Sequence, residues 1–513
     1  MYQSILSGAY QGLDCYLVSV EVDVSDGLPC MDMIGYLASQ VKESKERVRV
    51  GIKNSGYKMP PKRITISLSP SDIRKDGNGF DLAVALGILS AVKGDIQVCR
   101  DVLVLGELGL DGAVKRVNGV LPIMLKAAEE GIKCCIVPKD NEAEAGIVSH
   151  MKCYAVTTLQ EAVACMEQLN KGERMGVVAK RVVYKPAEPQ YEVDFSQVAG
   201  QEQACRAAEI AAAGMHNLLL FGPPGSGKSM IAERIRTILP PMSYEECMET
   251  TKIRSILGEM ENKTTIVTER PYQTAHPLIT PQGLIGGGNV PMPGIVTRAH
   301  KGVLFLDELP EFGRSKLDLL RQPLEEKRVH IQRKQYVCEF QADFMLVAAM
   351  NPCPCGYFPD RSKCNCRTGE ITSYLKRVSG PLLDRMDISV EVGSVEWEQL
   401  KRKGGTTNSA TMRAGVEKAY RFQQERQNKL NSDLTNEESE RVCVMTKEAE
   451  EMLRFAFTNH KKSVRNYERI RKVARTIADL AEEEKIDAVH MAEAIILNGG
   501  MEMFAKREEM GYE

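Results

Sequence analysis

Alternating apolar and polar positions predict several strands in the first third of the chain. In the segment CYLVSVEVDV four valines alternate with polar residues, and RITISLS, which begins at Arg63, repeats this pattern. Strict alternation of this kind is typical of a half-buried strand. The segment FDLAVALGILSAV, from Phe80, is apolar enough for a buried helix. The first part of the chain is therefore predicted to be α/β.

Longer strand and helix patterns follow and suggest a division into domains. Residues 1–175 form the predicted N-terminal α/β domain, and the polar, proline-containing segment 176–194 is a predicted linker. Residues 195–394 show alternating strand and helix signals, whereas residues 395–513 are helical in pattern and rich in Glu, Lys and Arg. A chain of 513 residues is too long for one core, which agrees with this division.

The composition of the chain limits the binding partners and the cellular compartment that we expect. The formal net charge of −2 gives no overall field for nucleic acid or acidic lipid, so any such binding must come from local patches. The N-terminal segment lacks the basic and apolar blocks of a signal peptide, and no apolar run of 18 residues occurs. We therefore expect a cytoplasmic protein without membrane segments, in which the cysteines stay reduced.

The segment NLLLFGPPGSGKSMIAERI predicts a phosphate-binding loop. An apolar strand precedes the pattern G-x-x-x-x-G-K-[ST] and an amphipathic helix follows it, which is the context that this motif requires. Lys228 would reach the β- and γ-phosphates of ATP, and the Ser229 hydroxyl would coordinate Mg²⁺. The residues predicted to bind the nucleotide are Gly222, Pro223, Pro224, Gly225, Ser226, Gly227, Lys228 and Ser229.

A second apolar strand, in GVLFLDELPEF, ends in two acidic residues. Asp307 suits the ligand shell of Mg²⁺, and Glu308 suits the base that polarises the attacking water. Uncompensated carboxylates are costly at the end of a buried strand, so their presence indicates a function. Further along, the apolar strand FMLVAAMNP ends in Asn351, LLDRMD contains Arg385, and a basic helix begins near Arg465.

Together these motifs resemble those of the Mg-chelatase-related AAA+ ATPases, specifically the ComM (YifB) family. The resemblance covers nearly the whole chain and includes VAGQ (198–201), LIGGGNVPMPG, LLRQPLEE, NPCPCG and SGPLLDR. It implies an α/β fold, with a P-loop AAA+ core and a helical lid after a Lon-protease-like (ribosomal S5 domain 2-like) domain. It also implies sensor 1 at Asn351, an arginine finger at Arg385, sensor 2 at Arg465, a hexameric ring, and DNA branch migration during natural transformation.

The N-terminal domain resembles the Lon protease domain but lacks its catalytic pair. Lon-type proteases carry a nucleophilic serine in KDGPSAG and a lysine further on, and SPSDIRKDGNGFDLAVAL resembles the first of these segments. Gly79 stands where the serine should be, and Leu121 stands at the lysine position. Without a hydroxyl or an amine there is no activated nucleophile, so we predict a binding platform rather than a peptidase.

The stretch NPCPCGYFPDRSKCNC contains four cysteines in two C-x-C pairs. Four thiolates suit a tetrahedral structural Zn²⁺, with Cys353, Cys355, Cys364 and Cys366 as the ligands. Structural sites more often use C-x₂-C, so free reduced cysteines on a loop and a redox device stay open as alternatives. A catalytic zinc is not expected, because no open coordination position is suggested.

The segment KRVHIQRKQYVCEF (327–340) predicts a hairpin and a possible DNA contact. In the related AAA+ branch such a hairpin projects into the ring channel, where basic side chains could grip phosphates without reading bases. These side chains are Lys327, Arg328, Arg333 and Lys334. A merely solvated hairpin is the alternative.

Three functions stay open from the sequence. They are a motor that translocates single-stranded or branched DNA, an ATPase that remodels a protein partner as the magnesium chelatase motor subunit does, and a nucleotide-switched scaffold with little turnover. The presence of Glu308, Asn351 and Arg385 argues against the last.

Overall fold

The computed structural model describes residues 1–93, 101–171, 182, 191–260, 266–333, 336–395, 407–459 and 464–510. The chain forms two compact units. The first comprises Met1–Lys185, Tyr244–Val267 and Gln332–Cys338, and the second comprises Pro186–Ser243, Thr268–Ile331 and Glu339–Glu513. Most of the predicted linker, and Lys334, lie outside the described residues, and the boundaries proposed from the sequence stay predictions.

The described strands are β1 (Tyr2–Gln11), β2 (Asp14–Ser25), β3 (Cys30–Ile34), β4 (Arg63–Ser69), β5 (Val102–Val104), β6 (Glu107–Leu108), β7 (Val114–Lys115), β8 (Cys134–Pro138), β9 (Lys152–Val156), β10 (Leu218–Phe221), β11 (Tyr272–Ala275), β12 (Gly286–Gly287), β13 (Met292–Pro293), β14 (Val303–Leu306), β15 (Arg328–Arg333), β16 (Tyr336–Gln341), β17 (Met345–Met350) and β18 (Ile388–Glu391).

The described α-helices are α1 (Ser39–Asn54), α2 (Asp81–Lys93), α3 (Val120–Glu129), α4 (Glu142–Ala145), α5 (Leu159–Asn170), α6 (Glu202–Gly214), α7 (Lys228–Ile235), α8 (Tyr244–Leu257), α9 (Pro281–Ile285), α10 (Ile295–Arg298), α11 (Arg314–Asp318), α12 (Arg321–Glu326), α13 (Thr368–Leu375), α14 (Gly380–Leu383), α15 (Ser409–Gln427), α16 (Asn436–Val442), α17 (Lys447–Asn459), α18 (Val464–Leu480) and α19 (Ala488–Met510).

The first unit contains a seven-stranded mixed sheet in the order β3-β4-β2-β1-β5-β8-β9. Strand β2 pairs antiparallel with β1 and β4, whereas β5 pairs in parallel with β1 and β8. The valines of β2 are buried at every second position, which confirms the predicted strand. Helix α2 is almost wholly buried against the sheet, as its apolar sequence predicted.

The second unit contains a five-stranded parallel sheet in the order β11-β14-β17-β10-β18. Strands β10, β14 and β17 are buried at every residue. A parallel sheet covered on both faces needs continuous apolar strands, which explains the runs LLLF, VLFL and MLVAAM. The predicted α/β fold is confirmed.

The helices after this sheet share its core. In α18 the buried residues Ile470, Val473, Ala474, Ile477 and Ala478 follow helical spacing and pack in the same apolar cluster as β10 and β17. Across the parts of the chain that are described, no helix has both the length and the apolar character needed to cross a membrane.

Candidate nucleotide site

The phosphate-binding loop connects β10 to α7 and depends on two glycines. A Cβ atom at Gly222 would lie 2.1 Å from the carbonyl oxygen of Val392, so only glycine fits there. Gly227 precedes α7 with a φ of 93°, a backbone conformation that favours glycine. The loop therefore turns tightly and ends at a helix N-terminus, where backbone N–H groups and the helix dipole favour a phosphate.

The order of the strands brings Lys228 and Asn351 together. Strand β17 lies directly beside β10, so the residue after its carboxyl end stands next to the P-loop. The Lys228 ammonium donates hydrogen bonds of 2.8 Å to the carbonyl oxygens of Gly222 and Pro223, and it lies 3.2 Å from Asn351 Oδ1. Burial lowers the pKa of Lys228 to about 8, although nearby Asp307 favours its charge. Lys228 and Asn351 therefore lie side by side at the phosphate loop.

The predicted Mg²⁺ ligands also lie in contact. The Ser229 hydroxyl donates a 2.8 Å hydrogen bond to Asp307 Oδ2, at the end of β14. A hydroxyl and a carboxylate on one side of the phosphate loop are the ligands that P-loop enzymes offer to Mg²⁺. Glu308 is exposed and has a left-handed backbone, with φ 53° and ψ 51°. Such strained non-glycine residues are concentrated at functional sites, and the exposed carboxylate is free to orient a water.

Arg385 and Arg465 lie together rather than beside Lys228. The Arg385 guanidinium is buried, donates 2.5 Å to the carbonyl oxygen of Pro381 and forms an ion pair with Glu325. Arg465, at the start of α18, is exposed and lies 3.8 Å from the same Glu325 oxygen. Burial lowers the pKa of Arg385, whereas Glu325 favours its charge. Its buried Nε has no hydrogen-bond partner among the described residues.

Sequence reasoning did not single out Glu325, although it belongs to the LLRQPLEE motif. Nor did it foresee the partners of the other basic residues on α18. Arg469 Nε lies 3.5 Å from Asp387, and Lys472 donates to the carbonyl oxygen of Ser432. These two side chains are half-buried and engaged by partners within the subunit.

The hairpin β15–β16 is present, and its alternation is as predicted, with Val329 and Ile331 buried. Its basic residues are partly neutralised. Lys327 lies 3.0 Å from Asp343 and also pairs with Asp433, and these carboxylates raise its pKa although burial opposes the charge. Arg328 pairs with Glu339. Arg333 is exposed.

The four cysteines converge on one point. Their sulfur atoms all lie within 4.8 Å of one another, and those of Cys353, Cys355 and Cys364 are 3.4 to 3.8 Å apart. A Zn–S distance of about 2.3 Å implies sulfur separations of about 3.8 Å, whereas a disulfide needs about 2.05 Å. Burial acts against ionisation of Cys355, but hydrogen bonds from the Tyr357 N–H and neighbouring thiols lower its pKa to about 6. The donor set fits a tetrahedral zinc.

The positions that correspond to the Lon catalytic pair are occupied as the sequence indicates. Gly79 precedes α2 and offers no side chain. Leu121 is fully buried in α3, and its backbone N–H donates to Glu144. The non-proteolytic role of this domain stays a prediction.

The parallel sheet, the P-loop and the acidic end of β14 define an α/β P-loop ATPase of the AAA+ class, which uses ATP and Mg²⁺. Residues 194–400 match the family described as magnesium chelatase, subunit ChlI, residues 20–141 match subunit ChlI of Mg-chelatase, and residues 406–498 match its C-terminal family.

Comparison of the chain with individual proteins identifies the family more specifically than the family matches do. The chain is 39% identical to competence protein ComM of Haemophilus influenzae over 99% of both chains, and 38% identical to YifB of Salmonella typhimurium over 94% of both. Lon protease 2 of Bacillus subtilis is 27% identical over 42% of this chain and 43% of its own. The chain therefore belongs to the ComM/YifB family of Mg-chelatase-like AAA+ ATPases.

The pKa of Lys228 makes nucleotide affinity depend on pH. A bound polyphosphate favours the ammonium form, so the pKa should rise on binding, and the protein should take up a proton above pH 8. We expect the affinity for ATP to be constant from pH 7 to about 8 and then to fall, by up to tenfold per pH unit. Calorimetric titration across this range measures it. The arginine of Lys228→Arg stays charged, so the ATP affinity of this variant should not change with pH in this range. An ATP affinity of the unaltered protein that does not change with pH would contradict a contact between the Lys228 ammonium and the phosphates.

Proposed function

We propose that the protein is a Mg²⁺-dependent ATPase motor that assembles into a hexameric ring and translocates single-stranded or branched DNA, as a branch-migration helicase. One observation carries the motor part of this proposal. Arg385 and Arg465 share Glu325 at a place that the phosphate site of their own subunit does not include. An enzyme with this arrangement needs a second subunit to complete its active site.

The topology of the sheet supports a position of Arg385 away from the phosphate site of its own subunit. Strand β18 runs parallel to β10, with Ile388 opposite Leu218. Lys228 follows the carboxyl end of β10, whereas Arg385 precedes the amino end of β18, where Asn217 donates a 2.9 Å hydrogen bond to its carbonyl oxygen. Four strand residues span about 13 Å. The two groups therefore stand at opposite edges of one sheet, which supports the proposal that Arg385 acts on the nucleotide of a neighbouring subunit.

A guanidinium supplied by a neighbouring subunit stabilises the negative charge that develops on the γ-phosphate during hydrolysis. Such arginines contribute roughly 10³- to 10⁵-fold in rate. The partnerless Nε of Arg385 supports the assignment, because a buried donor without an acceptor is unfavourable until a ligand supplies one. Glu325 forms ion pairs with both arginines within the subunit until a nucleotide phosphate takes its place.

Mixing two inactive variants tests the trans arrangement. Arg385→Ala should be nearly inactive, and Lys228→Ala should not bind nucleotide. In mixed rings some interfaces contain an intact Lys228 facing an intact Arg385, so ATPase activity should partly return. Arg465→Ala should complement Lys228→Ala in the same way. Mixed rings should be demonstrated with two affinity tags, and mixed rings that stay as inactive as their components would place Arg385 in its own subunit's site.

DNA is proposed as the substrate on two grounds. The chain is similar over almost its whole length to a protein named for competence, and the resemblance of its motifs implies branch migration. On this chain the proposed phosphate contacts are Arg328, Arg333 and Lys334, because Lys327 is already engaged by two carboxylates. Such contacts would bind DNA without regard to sequence.

A protein partner is the second candidate, and the same hairpin supports it. Arg328 and His330 lie close to Glu339 and Glu326, which reduces the positive charge. Val337, in β16, is 75% exposed. An exposed apolar side chain on a hairpin whose charges are paired suits a polypeptide better than a phosphate backbone.

Salt dependence of DNA binding separates the two candidates. We expect Glu308→Gln, which should bind ATP without hydrolysing it, to bind forked and single-stranded DNA with an affinity that falls steeply with salt. Adding Arg328→Ala, Arg333→Ala and Lys334→Ala should reduce the salt slope by roughly two to three. A matched control removes the exposed charges of Arg49, Arg314 and Lys418. If DNA neither binds nor stimulates ATP hydrolysis, the protein-remodelling candidate replaces the DNA motor.

We also propose that Cys353, Cys355, Cys364 and Cys366 hold one structural Zn²⁺ per chain. The converging sulfur atoms support this. The ion would hold the loop that follows Asn351, and no step of ATP hydrolysis needs it.

Elemental analysis of protein purified without chelators should find about one zinc per chain. The variant with all four cysteines replaced by serine should contain almost none, whereas Cys30→Ser, at an exposed cysteine outside the cluster, should keep it. Equal zinc in the unaltered protein and the four-serine variant would remove the ion from this loop.

A further inference from the structure

A cavity of about 740 Å³ opens beside the P-loop. Its size lies within the range of ligand pockets. One wall is the P-loop from Pro223 to Gly227, and a second contains Val198 and Ala199 of the VAGQ motif. A third wall is the cysteine loop, through Tyr357, Phe358 and neighbouring residues, and the segment from Glu391 to Val395 also lines the cavity. The phosphate loop thus borders a partly aromatic cavity large enough for a nucleoside.

The VAGQ wall is held in place by Gln201. Its side-chain amide is buried and donates to the carbonyl oxygen of Ser226 at 3.2 Å and to that of Gly393 at 2.7 Å. This one side chain therefore joins the P-loop to the segment after β18. Two walls of the cavity are fixed relative to each other without help from a ligand.

The third wall is held by the thiol cluster. The sulfur of Cys353 accepts hydrogen bonds from the backbone N–H groups of Gly356 at 3.2 Å and Phe358 at 3.4 Å. Gly356 has a φ of 85°, and a Cβ atom there would lie 2.5 Å from Cδ of Pro224. The turn between the cysteines therefore rests directly on the P-loop, and its next two residues reach the cavity.

We propose that this cavity receives the nucleoside of bound ATP, that Tyr357 and Phe358 contact it, and that metal in the thiol cluster sets nucleotide affinity by holding them. This inference rests on the proposed ATP and zinc sites. Tyr357 is 40% exposed and can lie against a base, whereas Phe358 is buried and supports the wall. Loss of metal loosens the wall but leaves the phosphate contacts of Lys228 and Ser229 in place.

Two probes separate the nucleoside from the phosphate chain. Binding of AMP-PNP and of inorganic tripolyphosphate is measured by calorimetry with Mg²⁺ present, on the full chain. Tyr357→Ala should weaken AMP-PNP binding roughly tenfold, the factor that one base–aromatic contact supplies, and should change tripolyphosphate binding less than twofold. Removal of zinc with phenanthroline should have the same selective effect, and added zinc should reverse it.

Gly356→Ala and Tyr36→Ala complete the test. Gly356→Ala forces the turn away from Pro224, so it should weaken AMP-PNP binding while leaving tripolyphosphate binding nearly unchanged. Tyr36 is similarly exposed but lies in the first unit, so Tyr36→Ala should change the affinity for neither probe. Equal weakening of both probes would show general damage to the P-loop and overturn the inference, as would unchanged AMP-PNP binding in Tyr357→Ala and the zinc-free protein. Failure of the unaltered protein to bind AMP-PNP would instead contradict the proposed ATP site.

Discussion

Strand β17 lies between β10 and β14, and this arrangement determines the chemistry of the second unit. Val347 in β17 pairs with Leu218 on one side and with Phe305 on the other. All three strands run in the same direction and are buried along their whole length, so a shift in register would move polar strand ends into the core. The ladder therefore fixes which residues emerge together at its carboxyl edge. Asn351 and Asp307 reach the P-loop because of it.

The same ladder separates the two halves of the active site. Residues that follow the strands carry the phosphate and Mg²⁺ contacts, and Arg385, which precedes β18, stands at the other edge. This separation is the reason for the proposal that Arg385 acts on the nucleotide of a neighbouring subunit. Glu325 pairs with both Arg385 and Arg465 within one subunit, so the two arginines are held together at this edge.

The parts of the site that the sequence predicted are those formed by neighbouring residues. The P-loop, the acids after β14 and the cysteine cluster each lie within one short segment, so spacing alone indicates their chemistry. The partners of the arginines could not be predicted, because Glu325 is 60 residues from Arg385 and 140 from Arg465 along the chain. Lys327 was singled out as a DNA contact, but its neutralisation could not be predicted for the same reason. Its charge is neutralised by Asp343 and by Asp433, the latter 106 residues away.

The short segment from Asn351 to Gly356 joins the two ends of the nucleotide site. Its first residue lies 3.2 Å from the Lys228 ammonium, and its last rests on Pro224 at the other end of the P-loop. Cys353 lies between them, fully buried and hydrogen-bonded to the turn. Because this segment contacts the P-loop at two points, neither contact can move independently of the other. A loop that looks peripheral in the sequence therefore packs against the P-loop, beside both Lys228 and Pro224.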